Sequence, residues 1–187
     1  LPHLMEPLAL QQSAAASVCS VWAAGWIALL KRRRYLCPTV VRTLGLAQEP
    51  YALAAMPGGN LCVGGASGVA VVSIDGKSET QQAMSRTYGV AVHADGAIFA
   101  SYDNCVVKLS STGAELARST RMDPFGMVLE GNRLFVANSD GVAILDAYSL
   151  QSLQVSQLCL SSAESCAVCG DELFVADRDQ SGGELRV

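Results

Sequence analysis

The chain has 187 residues, half of them hydrophobic, which is enough to bury a sizeable core. Its formal net charge of −4 disfavours nucleic acid as a partner, because phosphate binding requires clustered lysine and arginine on a presented surface. With 17 glycines, 6% aromatic and 16% charged residues, the composition excludes a mainly helical chain with charged amphipathic faces and favours short strands joined by tight turns.

A tail, residues 1–12, precedes an apolar segment at residues 13–34 that ends in a basic cluster. No charged residue occurs between Pro7 and Leu30, and four basic residues follow directly. This pattern is typical of a signal-anchor helix, which needs about 20 apolar residues, and its charges would place the following domain on the cytoplasmic side. We therefore expect a cytoplasmic-facing protein with a membrane anchor. Two alternatives stay open: a helix packed against the domain, or sequence that is not translated in nature.

The same succession of apolar runs and glycine-containing turns occurs four times after residue 39. The second apolar run of each unit begins at intervals of 37, 36 and 39 residues, at Leu61, Ile98, Leu134 and Leu173. Turns such as Ala94-Asp95-Gly96 favour β-hairpins, because Gly, Asp and Asn tolerate the positive φ of tight turns. The spacing predicts repeats at about residues 49–84, 85–120, 121–158 and 159–187.

Each unit reads as successive strands whose polarity rises towards the last one. Inner strands of a propeller blade pack between neighbouring blades, whereas the outermost strand meets water. The sequence therefore predicts an all-β fold, a β-propeller of about four four-stranded blades over residues 39–187, the last one truncated. Val40 to Leu44 resembles the last strand of an earlier blade, so we expect a fragment of a longer propeller.

One stretch resembles a known repeat family. Tyr88 to Ala100, which reads Tyr-Gly-Val-Ala-Val-His-Ala-Asp-Gly-Ala-Ile-Phe-Ala, is similar to the opening of an NHL repeat, and Val106 to Leu109 is similar to its third strand. The usual Asn-His-Arg-type signature is absent from the comparable turns, which read Asp103-Asn104 and Ser139-Asp140-Gly141. The resemblance implies the wider class of six-bladed propellers, which includes binding modules and enzymes of the lactonase or lyase type.

Four charged residues stand before or at the start of the first strand of each unit, where propeller loops commonly meet a partner. They are predicted as partner-binding residues on one face of the domain: Glu49, Arg86, Asp123 and Glu164. Their mixed signs argue against a simple anion or cation pocket, and ordinary solvated loop residues are the alternative. We expect a non-enzymatic binding or scaffold module with a protein partner; the sequence defines no small-molecule ligand.

No catalytic residue, cofactor or metal site is predicted. Cys166 and Cys169 form a C-x-x-C, but residues three apart on a strand point to opposite faces, so a core role is expected rather than a redox pair or a zinc site. Aspartate and asparagine in the turns are expected to bond local backbone. The enzyme alternative requires carboxylates, asparagine or histidine at the central channel, whereas His93 falls in a turn away from it.

Overall fold

The structure, a computed structural model, describes residues 46, 48–73, 75, 78–156, 160, 162–179 and 182–186. The predicted tail, the apolar segment at residues 13–34 and the strand expected at Val40 to Leu44 lie outside these residues. Within the described ranges, no helix is long and apolar enough to cross a membrane.

The described residues form consecutive antiparallel strands in four sheets, and none of the sheets is closed into a barrel. A short 3-10 turn, Pro57–Gly59, connects the first two strands. The first sheet contains β1 (Pro50–Ala55), β2 (Leu61–Gly65), β3 (Gly68–Val72) and β4 (Ser78–Ala83). The second contains β5 (Val90–Val92), β6 (Ile98–Tyr102), β7 (Cys105–Leu109) and β8 (Glu115–Arg118). The third contains β9 (Pro124–Glu130), β10 (Arg133–Asn138), β11 (Gly141–Asp146) and β12 (Ser152–Ser156). The fourth contains β13 (Ala163–Cys169), β14 (Glu172–Asp179) and β15 (Gly182–Arg186).

The strand register shows the same arrangement in each of the four sheets. Each leucine or isoleucine marker is the first or second residue of the second strand of its sheet and pairs with the last or second-last residue of the first strand. The pairs are Leu61 with Ala55, Ile98 with Val92, Leu134 with Leu129, and Leu173 with Val168. The predicted all-β fold is therefore confirmed, and each sheet is made of strands that follow one another in the chain.

Alternation along the inner strands buries both faces of the middle sheets. In β6, Ile98 and Ala100 pack towards residues of the first sheet, whereas Phe99, between them, packs towards Leu134 and Val136 of the third sheet. Successive side chains of a strand point to opposite faces, so one strand supplies two cores. This succession of sheets, each sandwiched between sheets like itself, is consistent with a β-propeller-like architecture.

The first strands of neighbouring sheets approach one another closely: β1 contacts β5, β5 contacts β9, and β9 contacts β13. Glycine occurs where the approach is tightest. A Cβ on Gly126 would lie only 2.8 Å from the carbonyl oxygen of Glu164 in the next sheet. The small residue therefore lets the inner strands converge, and their exposed sides surround a common space.

Candidate functional site

A pocket of about 630 Å³ lies between the first strands of the four sheets. The lining residues fall into three sets of equivalent strand positions, and we call the first two sets the outer and middle layers. The outer layer is Tyr51, Tyr88, Phe125 and Glu164; the middle layer is Ala52, Gly89, Gly126 and Ser165; Leu53, Val90 and Met127 lie further along the strands. Pro50 completes the described lining. The pocket is thus mainly apolar, with two phenol groups and a carboxylate at one level.

A row of aromatic rings forms one side of this outer layer. Tyr51 and Tyr88 stack with their ring centroids 5.5 Å apart and their planes 16° from parallel. The ring of Phe125 follows at 6.1 Å from that of Tyr88, tilted by 51°. Tyr51 and Tyr88 remain 38% and 43% exposed, although each ring would contribute a large apolar area if it were covered. We refer to Tyr51, Tyr88 and Phe125 as the aromatic row.

In the fourth sheet a carboxylate replaces the aromatic ring. Pro124 in the third sheet pairs with Asn138, and Ala163 in the fourth sheet pairs with the equivalent residue, Asp177. Phe125 follows Pro124 and Glu164 follows Ala163, so Phe125 and Glu164 hold the same place in their sheets. Glu164 therefore occupies the position of Phe125. The aromatic row ends at an acid.

Buried polar side chains fix the backbone beside the pocket. The Ser101 hydroxyl accepts hydrogen bonds from the backbone N–H groups of Tyr88 and Gly89 at 2.8 and 2.9 Å. In the fourth sheet, Asp177 Oδ1 accepts one from the backbone N–H of Ser162 at 2.8 Å. Ser101 and Asp177 are both buried, so these bonds are shielded from water. These bonds thus hold the backbone at the start of the lining strands in place.

Two of the predicted partner-binding residues contact the aromatic row. The Tyr51 hydroxyl donates to Glu49 Oε2 at 3.3 Å, and the pKa of Tyr51 is raised, first by partial burial and then by the negative charge of Glu49. The pKa of the Arg86 guanidinium is raised, mainly by its interaction with the Tyr88 phenol. The structure therefore brings Glu49 and Arg86 to the hydroxyl ends of the two tyrosines.

The other two predicted residues differ in their setting. Glu164 lines the pocket, and its Oε1 forms an exposed ion pair with Arg178 Nη1 at 3.5 Å. Asp123 is exposed in the turn before β9 and stands outside the described lining. In the fourth sheet, Ser162 holds the place that Asp123 holds in the third. Glu164 lies two residues further along, inside the first strand. The four charges are therefore not strictly equivalent.

The cysteines and His93 stand apart from the pocket. Both thiols are free; Cys166 is buried, as the predicted core role requires, whereas Cys169 is exposed, so that prediction is wrong for Cys169. His93 lies in the turn after β5, with its Nδ1 2.9 Å from Asp95 Oδ1. In the part of the chain that the structure describes, no three His, Cys, Asp or Glu residues lie close enough together to hold a metal ion.

Sequence reasoning missed the aromatic row as part of the site. The recurrence of Tyr51, Tyr88 and Phe125 every 37 residues was visible and marked the first strand of each unit. A chemical signal could have identified the site. Large aromatic rings that recur beside small residues such as Ala52 and Gly89 have little hydrophobic core to pack into. Their exposure follows from the convergence of the inner strands.

Comparison with known proteins supports the fold and does not identify a family. No family model matches the chain, and no curated protein matches it. Among solved structures, the computationally designed Ika4 protein superposes with a TM-score of 0.61 at 16% identity, over 77% of this chain and 94% of that chain. A protein of unknown function from Bacteroides caccae gives a TM-score of 0.58 at 15% identity, over 77% of this chain and 58% of that one. The computationally designed Ika8 protein gives 0.56 at 17% identity, over 75% of this chain and 46% of that one. This chain therefore spans less than two thirds of the length of two of these three structures, and at such identities the likeness concerns the fold alone.

Proposed function

We propose that this protein is a non-enzymatic binding module that contacts a protein partner through the pocket between β1, β5, β9 and β13. The observation that carries the proposal is the aromatic row, which leaves Tyr51 and Tyr88 substantially exposed on rigid strands beside a cavity of about 630 Å³. Tyrosine and phenylalanine are enriched in the centres of protein interfaces, because they supply large contact areas at a low cost in conformational entropy.

The chemistry of the lining favours binding over catalysis. A lactonase or lyase would need several carboxylate, asparagine or histidine groups converging on one point, whereas Glu164 is the acid of the described lining. Asn138 and Asp177, which stand behind the inner strands, are buried and accept hydrogen bonds from nearby backbone N–H groups. We therefore rank the enzyme as the second candidate.

Two finer parts of the proposal rest on the sequence pattern. The segment that resembles an NHL repeat, Tyr88 to Ala100, runs through β5 into β6, and it supports membership of this propeller class. The basic cluster after the apolar segment supports a cytoplasmic-facing domain with an anchor at residues 13–34. Both are expectations about the whole protein, and both agree with a module that recruits a partner.

Site-specific photo-cross-linking tests the proposed function. A benzophenone amino acid at Leu53, which is exposed and lines the pocket, should capture a partner in extracts of cells that express the protein. The matched control is the same group at Leu116, which is similarly exposed but lies in β8. Capture from position 53 that is lost in Tyr88→Ser supports the proposal. Capture from position 116 alone, or lactone hydrolysis by the purified protein that is lost in Glu164→Gln, would overturn it.

A further inference from the structure

We propose that the pocket recognises an arginine side chain of the protein partner, held between the aromatic row and the carboxylate of Glu164. This inference rests on the proposed function, because it names the chemistry by which the same pocket would select its partner. Three features of the described residues lead to it: the position of the acid beside the rings, the way in which that acid is already paired, and the balance of charge around the opening.

The first feature is that an acid stands where the other three sheets have aromatic rings. Glu164 takes the place of Phe125 in the pocket wall, and we expect a group that stacks on the rings to come within reach of its carboxylate. A guanidinium suits both surfaces, because its planar face packs on aromatic rings and its edge donates paired hydrogen bonds to a carboxylate. An ammonium group matches the second surface less well, since it is a compact point charge.

The second feature is that Glu164 already pairs with a guanidinium, and holds it loosely. Arg178 Nη1 lies 3.5 Å from Glu164 Oε1, longer than the 2.7–2.9 Å typical of a charge-assisted hydrogen bond. The Arg178 side chain is 78% exposed, so water screens this pair and little free energy is lost when it opens. An arginine that enters the pocket can therefore displace Arg178 and pair with the carboxylate in its place.

The third feature is the balance of charge around the opening. Glu49, Asp123 and Glu164 are accompanied there by Arg86, Arg121 and Arg178, and the whole chain is acidic. Arg86 lies beside Tyr88 in the second sheet, two sheets before the one that carries Glu164. A cationic side chain is thus drawn to Glu164, within a chain whose net charge is negative.

Binding of a matched pair of peptides tests the inference. The probes are acetyl-Gly-Ser-Arg-Ser-Gly-amide and the same peptide with citrulline, which has the shape of arginine without its charge. Affinity is measured on the full chain from backbone amide shifts of residues 88, 126 and 164 during titration. We expect the arginine peptide to bind at least about tenfold more tightly, in line with a hydrogen-bonded charge pair.

Two variants of the Glu164–Arg178 ion pair test whether the carboxylate causes the preference for arginine. Glu164→Gln should abolish the preference for arginine over citrulline, and Arg178→Gln should strengthen arginine binding, because it removes the competing guanidinium. Both side chains are exposed enough that folding should be retained. Equal binding of the two peptides, or weaker arginine binding in Arg178→Gln, would overturn the inference.

Failure of this inference can be told apart from failure of the proposed function. If the probe at Leu53 captures a partner and the two peptides bind equally, the pocket binds a protein by other contacts, and the arginine is excluded. If position 53 captures nothing and the peptides do not bind, the proposed function itself fails. If position 53 captures a partner and arginine is preferred, both are supported.

Discussion

Gly89, directly before β5, lies against the backbone carbonyl group of Phe125 in β9, the first strand of the next sheet. A Cβ at this position would overlap the carbonyl oxygen, so the two backbones meet with no room for a side chain. Gly126 stands in the same relation to Glu164 one sheet further on. The pocket and its aromatic row therefore depend on glycine at the middle layer of the lining.

Replacement of Gly89 by alanine should destabilise the domain. The added methyl group has to push apart two backbones rather than a flexible side chain, and overpacking of this kind costs about 1–3 kcal/mol. Urea denaturation followed by circular dichroism measures the loss. The control is Ser165→Ala, because the fourth sheet already carries a side chain at this position. Equal stability of Gly89→Ala and the parent would show that the inner strands separate easily.

The sequence predicts the repeat better than the site, and the reason is physical. A buried marker such as Leu134 must recur in every unit because each sheet needs the same inner face, so spacing alone locates it. The site depends on small departures from the repeat. Glu164 lies nine residues before Leu173, as Phe125 lies nine before Leu134, so it takes the place of the ring, and the paired strands confirm this. An acid at this position breaks the aromatic pattern that marks the first strand of the other units. The closeness of Gly89 to Phe125 is a contact between units, which no local pattern encodes.

Lys108 joins the second and third sheets, and its removal should loosen their contact. It is buried, its Nζ donates to the carbonyl oxygen of Ala147 at 3.0 Å, and it lies over the rings of Phe99 and Tyr148. Lys108→Met keeps the apolar stem and leaves the carbonyl group without this donor, which should lower the free energy of unfolding by about 1–3 kcal/mol.

The matched control for Lys108 is Arg118→Met. Like Lys108, Arg118 lies over a tyrosine ring. It pairs with a carboxylate, and its side chain is 44% exposed. Its loss should cost about 1 kcal/mol or less, because exposed ion pairs contribute little. Chemical denaturation of both variants at the same pH gives the comparison. A larger effect at Arg118 would contradict the view that burial makes the Lys108 contact important.

Asp146 should make the stability of the third sheet depend on acid pH. The backbone N–H of Ser149 and the Ser149 hydroxyl both donate to Asp146 Oδ1 at 2.8 Å, and these bonds lower the pKa of the Asp146 carboxyl. A lowered pKa in the folded state means that the stabilisation is fully present above the ordinary value of 3.8 and is lost as the pH falls through the folded value.

The asparagine variant provides the measurement for this carboxyl group. Asp146→Asn should be less stable than the parent at pH 6, and the two proteins should converge in stability as the pH falls through the lowered pKa of the parent carboxyl. Denaturation curves across this range test the sign. A constant difference between the two proteins at all pH values would mean that the charge of Asp146 is not the stabilising feature.

The described thiols should differ sharply in reactivity. Burial raises the pKa of Cys62 to about 12 and that of Cys166 to about 11, so both remain protonated at pH 8 and cannot act as nucleophiles. Cys169 is exposed and accessible to reagents. Iodoacetamide at pH 8, read peptide by peptide by mass spectrometry, should label Cys169 before Cys62 and Cys166. Equal labelling of Cys166 and Cys169 would instead indicate that β13 opens readily.

Glu49 should control the ionisation of Tyr51 and so report on the aromatic row. The Tyr51 hydroxyl is partly buried and donates to the Glu49 carboxylate, and both effects raise its pKa. Glu49→Gln removes the negative charge next to the phenol, so the pKa of Tyr51 should fall towards 10.0, its ordinary value. Carbon-13 NMR of labelled tyrosine measures this titration.

Asp123→Asn is the matched control, since Asp123 holds the corresponding place before Phe125, which has no hydroxyl group. Because stacking on Tyr88 persists in both variants, a fall in the Tyr51 pKa caused by Glu49→Gln alone would assign the effect to charge. An equal fall in both variants would instead assign it to the general field of the acidic domain.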